Sequence, residues 1–322
     1  MSLQISVLIP TRNRRNHLEE CLKSLFQGNL RPDEVIILNV NSTDGTEEVA
    51  KIYPVKLLTV KERNRQRQRN LGLLATKSDI VVFFDDDVIV DEHALEYIAS
   101  AYNTSNIGGV GGRVLPYGVS KDYWISACNN IVGKVRKNGV VIGNFDIPLQ
   151  GPIEVDCLQG CFMSFRHEVL LKSGGFDENY ETFFRGDDTD VCLAVKKLGY
   201  KIIYEPRAIV WHKALGIFSY SANEWVYKYA RGSTYFYFKN LFPDAKLYLP
   251  LFFLNLFFPP RDYVRKSNIK ISFTPSLAQE MIRGLIDGIL LYSKVPKKGF
   301  PLPITNKTLE SQGHKVVQKL AE

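Results

Sequence analysis

The sequence of 322 residues contains no apolar run long enough for a membrane-spanning helix, which needs about 20 residues. Its longest nearly apolar stretch covers residues 247–258 and is interrupted by Pro250 and Asn255. The N-terminus also lacks a leader-like apolar segment, because a strand-like run at residues 5–10 is followed directly by arginines. We therefore expect neither a spanning helix nor a signal peptide, and no internal repeat is visible.

The cysteines lack the spacing of a disulfide framework or a zinc site. Their number is odd and none forms a Cys-x-x-Cys pair. The closest two have no histidine at zinc-finger spacing, so a zinc site is not expected. We predict reduced thiols and a cytoplasmic protein. The five cysteines are Cys21, Cys128, Cys157, Cys161 and Cys192.

The sequence also lacks an excess of acidic residues, since its formal net charge is +7. The basic excess is confined to one region. Residues 213–322 hold 16 Lys and Arg against 7 Asp and Glu, whereas residues 1–212 hold 25 against 27. A basic segment can meet nucleic acid, an anionic membrane surface or an acidic substrate. The 45% of hydrophobic residues is typical of an ordinary folded chain.

Short apolar runs alternate with amphipathic segments in the first part of the chain. The runs at residues 5–10, 34–40, 55–60 and 80–84 have the composition of buried strands. Helices are predicted from Asn16, at 47–52 and at 64–75, and the first places Leu18, Cys21, Leu22 and Leu25 on one face. This alternation predicts an α/β fold with a doubly wound, mainly parallel sheet.

The chain is organised around an apolar strand, residues 80–84, that runs directly into Asp85-Asp86-Asp87. Three adjacent carboxylates at the end of a buried strand need a positive partner, and a divalent cation is the simplest one. Ligands of open parallel sheets bind at this end of the strands. The alternative is a solvated acidic turn that caps the next helix near Asp91.

Several motifs follow one another in the order seen in family-2 glycosyltransferases of GT-A fold, which residues 4–213 resemble. The early motifs are Ser6–Asn13, Asn41–Thr46, Arg69–Gly72 and Phe84–Asp87. The later motifs are Gly174–Glu178, Gly186–Leu193 and Gly199–His212. The resemblance implies a GT-A Rossmann-like catalytic domain over residues 1–213, with a nucleotide-sugar half to about 112 and an acceptor half from about 113. Residues 214–322 would form a helical extension.

The resemblance also implies the reaction. The enzyme would be an inverting hexosyl- or deoxyhexosyltransferase that moves a sugar from a nucleotide diphosphate donor, with UDP or dTDP favoured. The acceptor would be a hydroxyl of a glycan or a lipid-linked molecule, as in polysaccharide biosynthesis. The cofactor would be Mn²⁺ or Mg²⁺, which offsets the charge of the leaving diphosphate.

By this resemblance Asp85-Asp86-Asp87 is the DxD motif. Asp87 would ligate the metal, and Asp85 would face the metal or the ribose. His212 would complete the metal shell as in some relatives, although a lone histidine at a strand end is as often structural.

Asp187 and Asp188 occupy the position of the family's Glu-Asp pair, which implies a catalytic role. Asp188 would be the general base for the acceptor hydroxyl, because a carboxylate beside other carboxylates has a raised pKa. Since Asp187 replaces a glutamate, the base assignment between the two stays open. The alternative is that one of them caps the helix that begins near Thr189.

Nine residues are predicted to contact the nucleotide sugar. Asn39 stands where many relatives carry an aspartate that recognises the base, and an amide can still pair with uracil or thymine. Arg69 would lie near the diphosphate, while Arg65 and Arg67 are interpreted mostly as solvated helix surface. The predicted donor-site residues are Pro10, Thr11, Arg12, Asn39, Asn41, Arg69, Asp85, Asp86 and Gly160.

The last third combines aromatic, basic and apolar residues. Met281, Ile282, Leu285, Ile286, Ile289 and Leu290 are predicted to share one helical face. We expect this region to contact the inner face of the cell membrane peripherally. A helical cap on the catalytic domain, or an oligomer interface, is the alternative. Nucleic acid is not expected, because the acidic triad repels phosphate.

Two other functions agree less well with the sequence. A nucleotidyltransferase would need a glycine-rich basic loop after the first strand, and Pro10-Thr11-Arg12-Asn13 is a poor match. A non-catalytic membrane or nucleic-acid binder would not need the intact carboxylates Asp85, Asp87 and Asp188.

Overall fold

The computed structural model describes residues 3–61, 63–122, 130–180, 186–213, 221–258, 274–295 and 316–317. The prediction of a reduced thiol at Cys128 lies outside these residues.

The first 84 residues form the predicted alternation of strands and helices. The helix from Arg15 buries Leu18, Cys21, Leu22 and Leu25, so the predicted apolar face is confirmed. The elements are β1 (Ile5–Thr11), α1 (Arg15–Gln27), β2 (Glu34–Asn39), α2 (Thr46–Ile52), β3 (Lys56–Thr59), α3 (Arg65–Ala75) and β4 (Ile80–Phe84).

The next part of the chain adds strands of both directions and three helices, and two of its short strands pair only with each other in a separate sheet. Its elements are β5 (Val88–Val90), α4 (Ala94–Ala101), β6 (Ile107–Pro116), β7 (Lys134–Val135), β8 (Val141–Ile142), β9 (Ile153–Val155), β10 (Phe162–Arg166), α5 (His167–Lys172), α6 (Asp187–Lys197) and β11 (Lys201–His212).

The last part is helical, with one short strand. Its elements are α7 (Ala222–Asn240), a 3₁₀ turn (Lys246–Tyr248), α8 (Leu249–Phe257), α9 (Pro275–Lys294) and β12 (Val316–Val317). None of the helices in the described part of the chain has the length and hydropathy to cross a membrane.

The large sheet has the strand order β12-β3-β2-β1-β4-β10-β6-β11-β5, with β9 beside β11. Strands β3, β2, β1 and β4 are parallel, as are β6 and β11, and β10 runs antiparallel between β4 and β6. The predicted doubly wound, mainly parallel sheet is therefore confirmed. The extension is not purely helical, because β12 pairs with the edge strand β3.

Strand β4 is buried along its whole length, as expected for a strand covered on both faces. Its register with β1 pairs Leu8 with Phe83, which brings Thr11 level with Asp86. Hydrophobic burial thus fixes β4, and the parallel register places the ends of β1 and β4 at the same edge of the sheet.

Helix α9 packs on α7 through small residues. A Cβ atom built on Gly284 would lie 2.4 Å from the carbonyl oxygen of Tyr227, and one on Gly288 would lie 2.7 Å from that of Arg231. Only glycine therefore permits this approach of the two backbones. With Leu277 and Met281 buried on the same side, the contact leaves the opposite side of α9 to solvent.

The predicted single apolar face of α9 is therefore wrong in part. Met281 is buried and Leu285 packs against the same cluster, but Ile282, Ile286 and Leu290 are about half exposed. At 100° per residue these three side chains point away from the glycine contact. The sequence pattern identified the apolar positions but not which of them the neighbouring helix covers.

Helix α7 is attached to the rest of the molecule by a buried ionic cluster. Lys239 Nζ lies 2.6 Å from Asp177 Oδ2 and 2.7 Å from Asp190 Oδ2. The Tyr235 hydroxyl donates to Asp177, and the Asn240 amide donates to Asp190, both at 2.6 Å. Because Asp190 lies in the first turn of α6, this cluster connects the extension to the helix that carries Asp187 and Asp188.

Candidate active site

Three predicted metal ligands meet at the carboxyl end of the sheet. Asp85 and Asp87 follow β4, and His212 ends β11, which pairs with β5 so that His212 stands opposite Val88. One donor atom of each residue lies within 4.8 Å of the others. His212 Nε2 is 3.0 Å from Asp87 Oδ1.

This donor set fits the predicted divalent cation. Two carboxylate oxygens suit Mg²⁺ or Mn²⁺, and an imidazole nitrogen suits Mn²⁺ in addition. Asp85 and His212 keep partial exposure beside the nearly buried Asp87, so a cation has access to them. The residues therefore fit the group that the motif implies.

A residue that sequence reasoning missed contacts this cluster. Arg14 Nη1 lies 2.9 Å from Asp87 Oδ2, and the Thr11 hydroxyl donates to Asp86 Oδ2 at 2.7 Å. The parallel pairing of β1 and β4 could have predicted this contact, because it places the residues after β1 beside those after β4. Thr11 was among the predicted donor-site residues, whereas Arg14 was not among the predicted site residues.

These contacts separate the pKa values of two adjacent carboxyls. Burial raises the pKa of Asp86 to about 7, although Arg14 and Thr11 act in the opposite direction. Burial would also raise the pKa of Asp87, but His212 and Arg14 overcome it and hold that pKa below its ordinary value. Asp87 is therefore the carboxylate better suited to stay ionised as a ligand.

The fully buried guanidinium of Arg69 joins the two carboxylate groups of the site. Its Nη2 lies 3.5 Å from Asp85 and donates to the Gly160 carbonyl oxygen at 2.8 Å. Its Nη1 lies 3.1 Å from Asp188 and 3.7 Å from Asp187. One cation on α3 thus contacts the end of β4 and the start of α6.

The Asp187 and Asp188 carboxyls have different environments. Asp187 accepts from Gln66 at 2.6 Å and from Arg65 at 3.1 Å. Burial acts against its charge, but Arg65 and Arg69 overcome this and lower its pKa. Burial and the neighbouring Asp187 raise the pKa of Asp188 to about 6.

Two interpretations from the sequence are corrected at this point. Arg65 is not solvated helix surface, because its side chain is only 22% exposed and pairs with Asp187. Neither aspartate caps α6, since the helix begins at Asp187 and its N-cap is Gly186. Both carboxylates instead lie in the first turn, where the helix dipole favours negative charge.

Gly160 lies against the carboxylate of Asp188. A Cβ atom built there would be 2.2 to 2.4 Å from the carboxylate atoms, so a side chain would displace them. Gly160 was predicted to contact the donor sugar, and the structure places it between Arg69 and Asp188.

The other predicted donor-site residues lie at the ends of β1 and β2. Asn39 is fully buried, where its amide donates to Glu47 at 2.7 Å and accepts from Ser42 at 2.5 Å. Pro10 is buried within β1, whereas Arg12 and Asn41 are exposed just beyond the two strands. Recognition of the nucleobase by these residues stays a prediction.

Comparison with known proteins identifies the family. Residues 6–174 match the family model described as Glycosyl transferase family 2. An O-antigen chain rhamnosyltransferase of Salmonella anatum is 29% identical over 212 residues, which cover 64% of this chain and 65% of the relative. A 4,4'-diaponeurosporenoate glycosyltransferase of Staphylococcus haemolyticus is 36% identical over 144 residues, 42% of this chain and 38% of the relative. The chain thus spans less than two thirds of the length of these relatives.

Solved structures share the fold. A mannosyltransferase from Pyrobaculum calidifontis in complex with GDP-Man and Mn²⁺ aligns with a TM-score of 0.54 and 16% identity over 92% of this chain and 89% of that one. S. aureus TarS in complex with UDP-GlcNAc aligns with a TM-score of 0.59 and 17% identity over 89% of this chain and 81% of that one. The sheet described above is therefore of GT-A type.

Proposed function

Because the chain belongs to glycosyltransferase family 2, we propose that it transfers a sugar from a nucleotide diphosphate donor, with inversion and with a divalent metal. The observation that carries the proposal is the convergence on Arg69 of Asp85 at 3.5 Å and Asp188 at 3.1 Å. The group that neutralises a leaving diphosphate and the group that activates an acceptor must flank one sugar carbon. A single buried guanidinium that contacts both groups fixes their separation.

In this mechanism Asp188 acts as the general base. It takes the proton of the acceptor hydroxyl as the oxygen attacks C1 of the sugar, and the bond from C1 to the diphosphate breaks on the opposite face. Direct attack by the acceptor inverts the configuration at C1. A pKa of about 6 leaves Asp188 ionised at neutral pH while keeping it basic enough to accept the proton.

The remaining residues hold these groups in place. Asp87, Asp85 and His212 would hold Mn²⁺ or Mg²⁺, which supplies Lewis-acid stabilisation of the departing diphosphate. Arg14 orients Asp87, and Arg69 orients both Asp85 and Asp188. Asp187 stays ionised between Arg65 and Arg69, so it keeps Arg69 in position and is not itself the base.

We infer the donor and acceptor classes from the residues at the nucleotide end of the site and from the relatives named above. UDP and dTDP are the favoured donors, with Thr11, Arg12, Asn39 and Asn41 at the nucleotide end of the site. The Salmonella anatum relative is named as an O-antigen chain rhamnosyltransferase, which supports a deoxyhexosyl donor and a glycan or lipid-linked acceptor. We place the enzyme in the cytoplasm, in peripheral contact with the membrane that holds such an acceptor.

The test is a thermal-shift screen of UDP, dTDP, GDP, CDP and ADP, each with and without Mn²⁺. A ligand that binds only the folded state raises the melting temperature. We expect a metal-dependent shift for one nucleotide that is lost in Asp87→Ala and retained in Glu48→Gln, an exposed carboxylate on α2. Sugar nucleotides of that base are then assayed for transfer.

A nucleotide shift that is independent of Mn²⁺ and unchanged in Asp87→Ala would contradict the metal-site assignment. No shift with any of the five nucleotides would contradict the donor site itself.

A further inference from the structure

Two helices of the extension present apolar side chains to solvent in helical register. On α9, Ile282, Ile286 and Leu290 are 50%, 50% and 49% exposed and follow one another at intervals of four residues. This strip lies opposite the contact with α7, so no described element covers it. We call these three residues the α9 strip.

A second strip lies on and beside α8. Leu251 and Leu254 are exposed on one face of α8, and exposed Leu247 and Phe258 lie in the 3₁₀ turn before the helix and directly after its end. The opposite face is anchored, because Phe252 stacks on Tyr237 of α7 with ring centroids 4.2 Å apart. We call these four residues the α8 strip.

The two strips are a feature of the extension and not of the protein surface in general. Eleven large apolar residues are exposed in the described part of the chain, and eight of them lie in residues 247–290. The proposed catalytic part, residues 1–213, contributes only Ile52, Tyr117 and Leu198 among its described residues, and these lie apart at the end of α2, after β6 and after α6. Scattered apolar residues are normal on a surface, whereas two ordered strips indicate a partner.

The strips lie in the part of the chain that carries the basic excess, with 16 Lys and Arg against 7 Asp and Glu in residues 213–322. Exposed Lys246 precedes the α8 strip, and exposed Lys294 follows the α9 strip by one turn. Two carboxylates of α9 are engaged within the helices, since Asp287 accepts from the Tyr227 hydroxyl at 2.8 Å and Glu280 lies 3.5 Å from Arg283, whereas Asp244 before Lys246 is exposed. Apolar side chains flanked by lysine are the composition of an interfacial membrane helix.

We propose that the α8 and α9 strips dock the enzyme on an anionic lipid bilayer, with the leucine and isoleucine side chains inserted among the acyl chains. The inference deepens the proposed function, since a lipid-linked acceptor would then lie at the surface that the enzyme touches. A second copy of the chain is a poorer occupant. Each copy carries 16 basic against 7 acidic residues in this region, so two copies repel, whereas anionic lipid attracts.

The experiment is co-sedimentation of the full chain with vesicles, without any sugar nucleotide. One set of vesicles is phosphatidylcholine alone, and the other contains about 30% phosphatidylglycerol to supply the anionic surface. The variants are Ile282→Ser/Ile286→Ser/Leu290→Ser and Leu251→Ser/Leu254→Ser/Phe258→Ser. The matched control is Ile52→Ser/Leu198→Ser, which removes exposed apolar side chains from the catalytic part.

We expect wild type and the control variant to bind the anionic vesicles, and each strip variant to bind them at least about tenfold more weakly. Binding should fall as salt rises, because lysines contribute to it. Since the substituted side chains are exposed, melting temperatures should stay close to that of wild type.

Equal binding by wild type and both strip variants would overturn the proposal, as would binding of none. If wild type is a dimer by sedimentation and the strip variants are monomers that bind vesicles equally, the occupant is a second copy and the proposal is wrong. Failure of the donor-site proposal is recognised separately, because the nucleotide thermal shift is measured without vesicles.

Discussion

The catalytic part and the extension use buried charge differently. At the ends of β4 and α6, five aspartates surround Arg14, Arg65 and Arg69, and the cluster stays partly open to solvent through Asp85 and Asp188. In the extension one cation, Lys239, is paired with Asp177 and Asp190, and the tyrosine and asparagine beside it complete the hydrogen bonds. The first arrangement leaves groups available to a ligand, whereas the second leaves none.

The loss of each charge should therefore have a different main effect. Removing the Asp188 carboxylate from the open cluster should lower activity with little change in stability, because burial and Asp187 already disfavour its charge. Removing Lys239 should lower stability, because it leaves two buried carboxylates unpaired.

The largest expected effect comes from the metal ligand. Asp87→Asn should lower the transfer rate by about a thousandfold or more, because the leaving diphosphate loses its counter-charge. The free energy of unfolding should fall by less than in Lys239→Met, because Arg14 and His212 are partly exposed and stay solvated when Asp87 loses its charge. Steady-state transfer and urea denaturation measure the two effects, with Glu48→Gln as the control. A variant that is strongly destabilised but transfers the sugar at the wild-type rate would contradict this prediction.

The base assignment gives the next effect. Asp188→Asn should lower kcat by about a hundredfold or more and leave the nucleotide thermal shift intact. In wild type, activity should rise with pH through about 6, since burial and Asp187 raise the pKa of Asp188 to about 6 and the base acts when deprotonated. If Asp187 were the base, the acid limb would lie below the ordinary aspartate pKa of about 3.9.

Lys239 tests the other side of the comparison. Lys239→Met should lower the free energy of unfolding by about 3 kcal/mol, because Asp177 and Asp190 stay buried without a cation. The control is Lys294→Met at an exposed position. Equal stability of the two variants in urea would show that the cluster does not attach the extension.

The pH dependence of this effect has a defined sign. Burial would raise the pKa of Asp177, but Lys239 and Tyr235 hold it below its ordinary value. A carboxyl whose pKa is lower in the folded than in the unfolded state stabilises the fold at pH values above its unfolded pKa. This stabilisation is lost as the pH falls through the folded pKa. The stability difference between wild type and Lys239→Met should therefore shrink below about pH 4.

Gly160 tests whether the position of the Asp188 carboxylate in the open cluster matters for activity. Gly160→Ala should lower kcat at least about tenfold, because the added methyl group meets the Asp188 carboxylate and shifts it. Gly151→Ala is the matched control, since nothing lies within 4 Å of a Cβ there. A normal kcat in Gly160→Ala would show that the position of Asp188 is not critical.

The smallest effect concerns the start of α7. Ser221 and Glu224 form a capping box, so Ser221→Ala should lower the free energy of unfolding by about 1 kcal/mol. Ser293→Ala, inside α9, should change it by less than about 0.5 kcal/mol. A single shifted transition in urea would show that the extension unfolds together with the catalytic part, and a separate early transition would show the opposite.

Local patterns in the sequence predicted the strands, the helices and the carboxylate motif, because hydrophobic periodicity and the buried run before Asp85 depend on neighbouring residues alone. That Asp85, Asp87 and His212 lie together was predicted only from the resemblance to a family. Contacts between distant elements were not available from the local patterns. Arg14 beside Asp87, and Arg65 beside Asp187, depend on strand register and on the approach of α3 to α6.

The order of residues along the chain was enough to predict the α/β alternation, the acidic end of β4 and the basic, apolar character of the last third. The folded structure was needed to see that Arg69 contacts both Asp85 and Asp188, that Lys239 attaches the extension, and that the α9 strip faces solvent. The difference arises from distance along the chain. Periodicity and propensity act over a few residues, whereas a guanidinium on α3 meets carboxylates that lie 16 and 119 positions further along the chain.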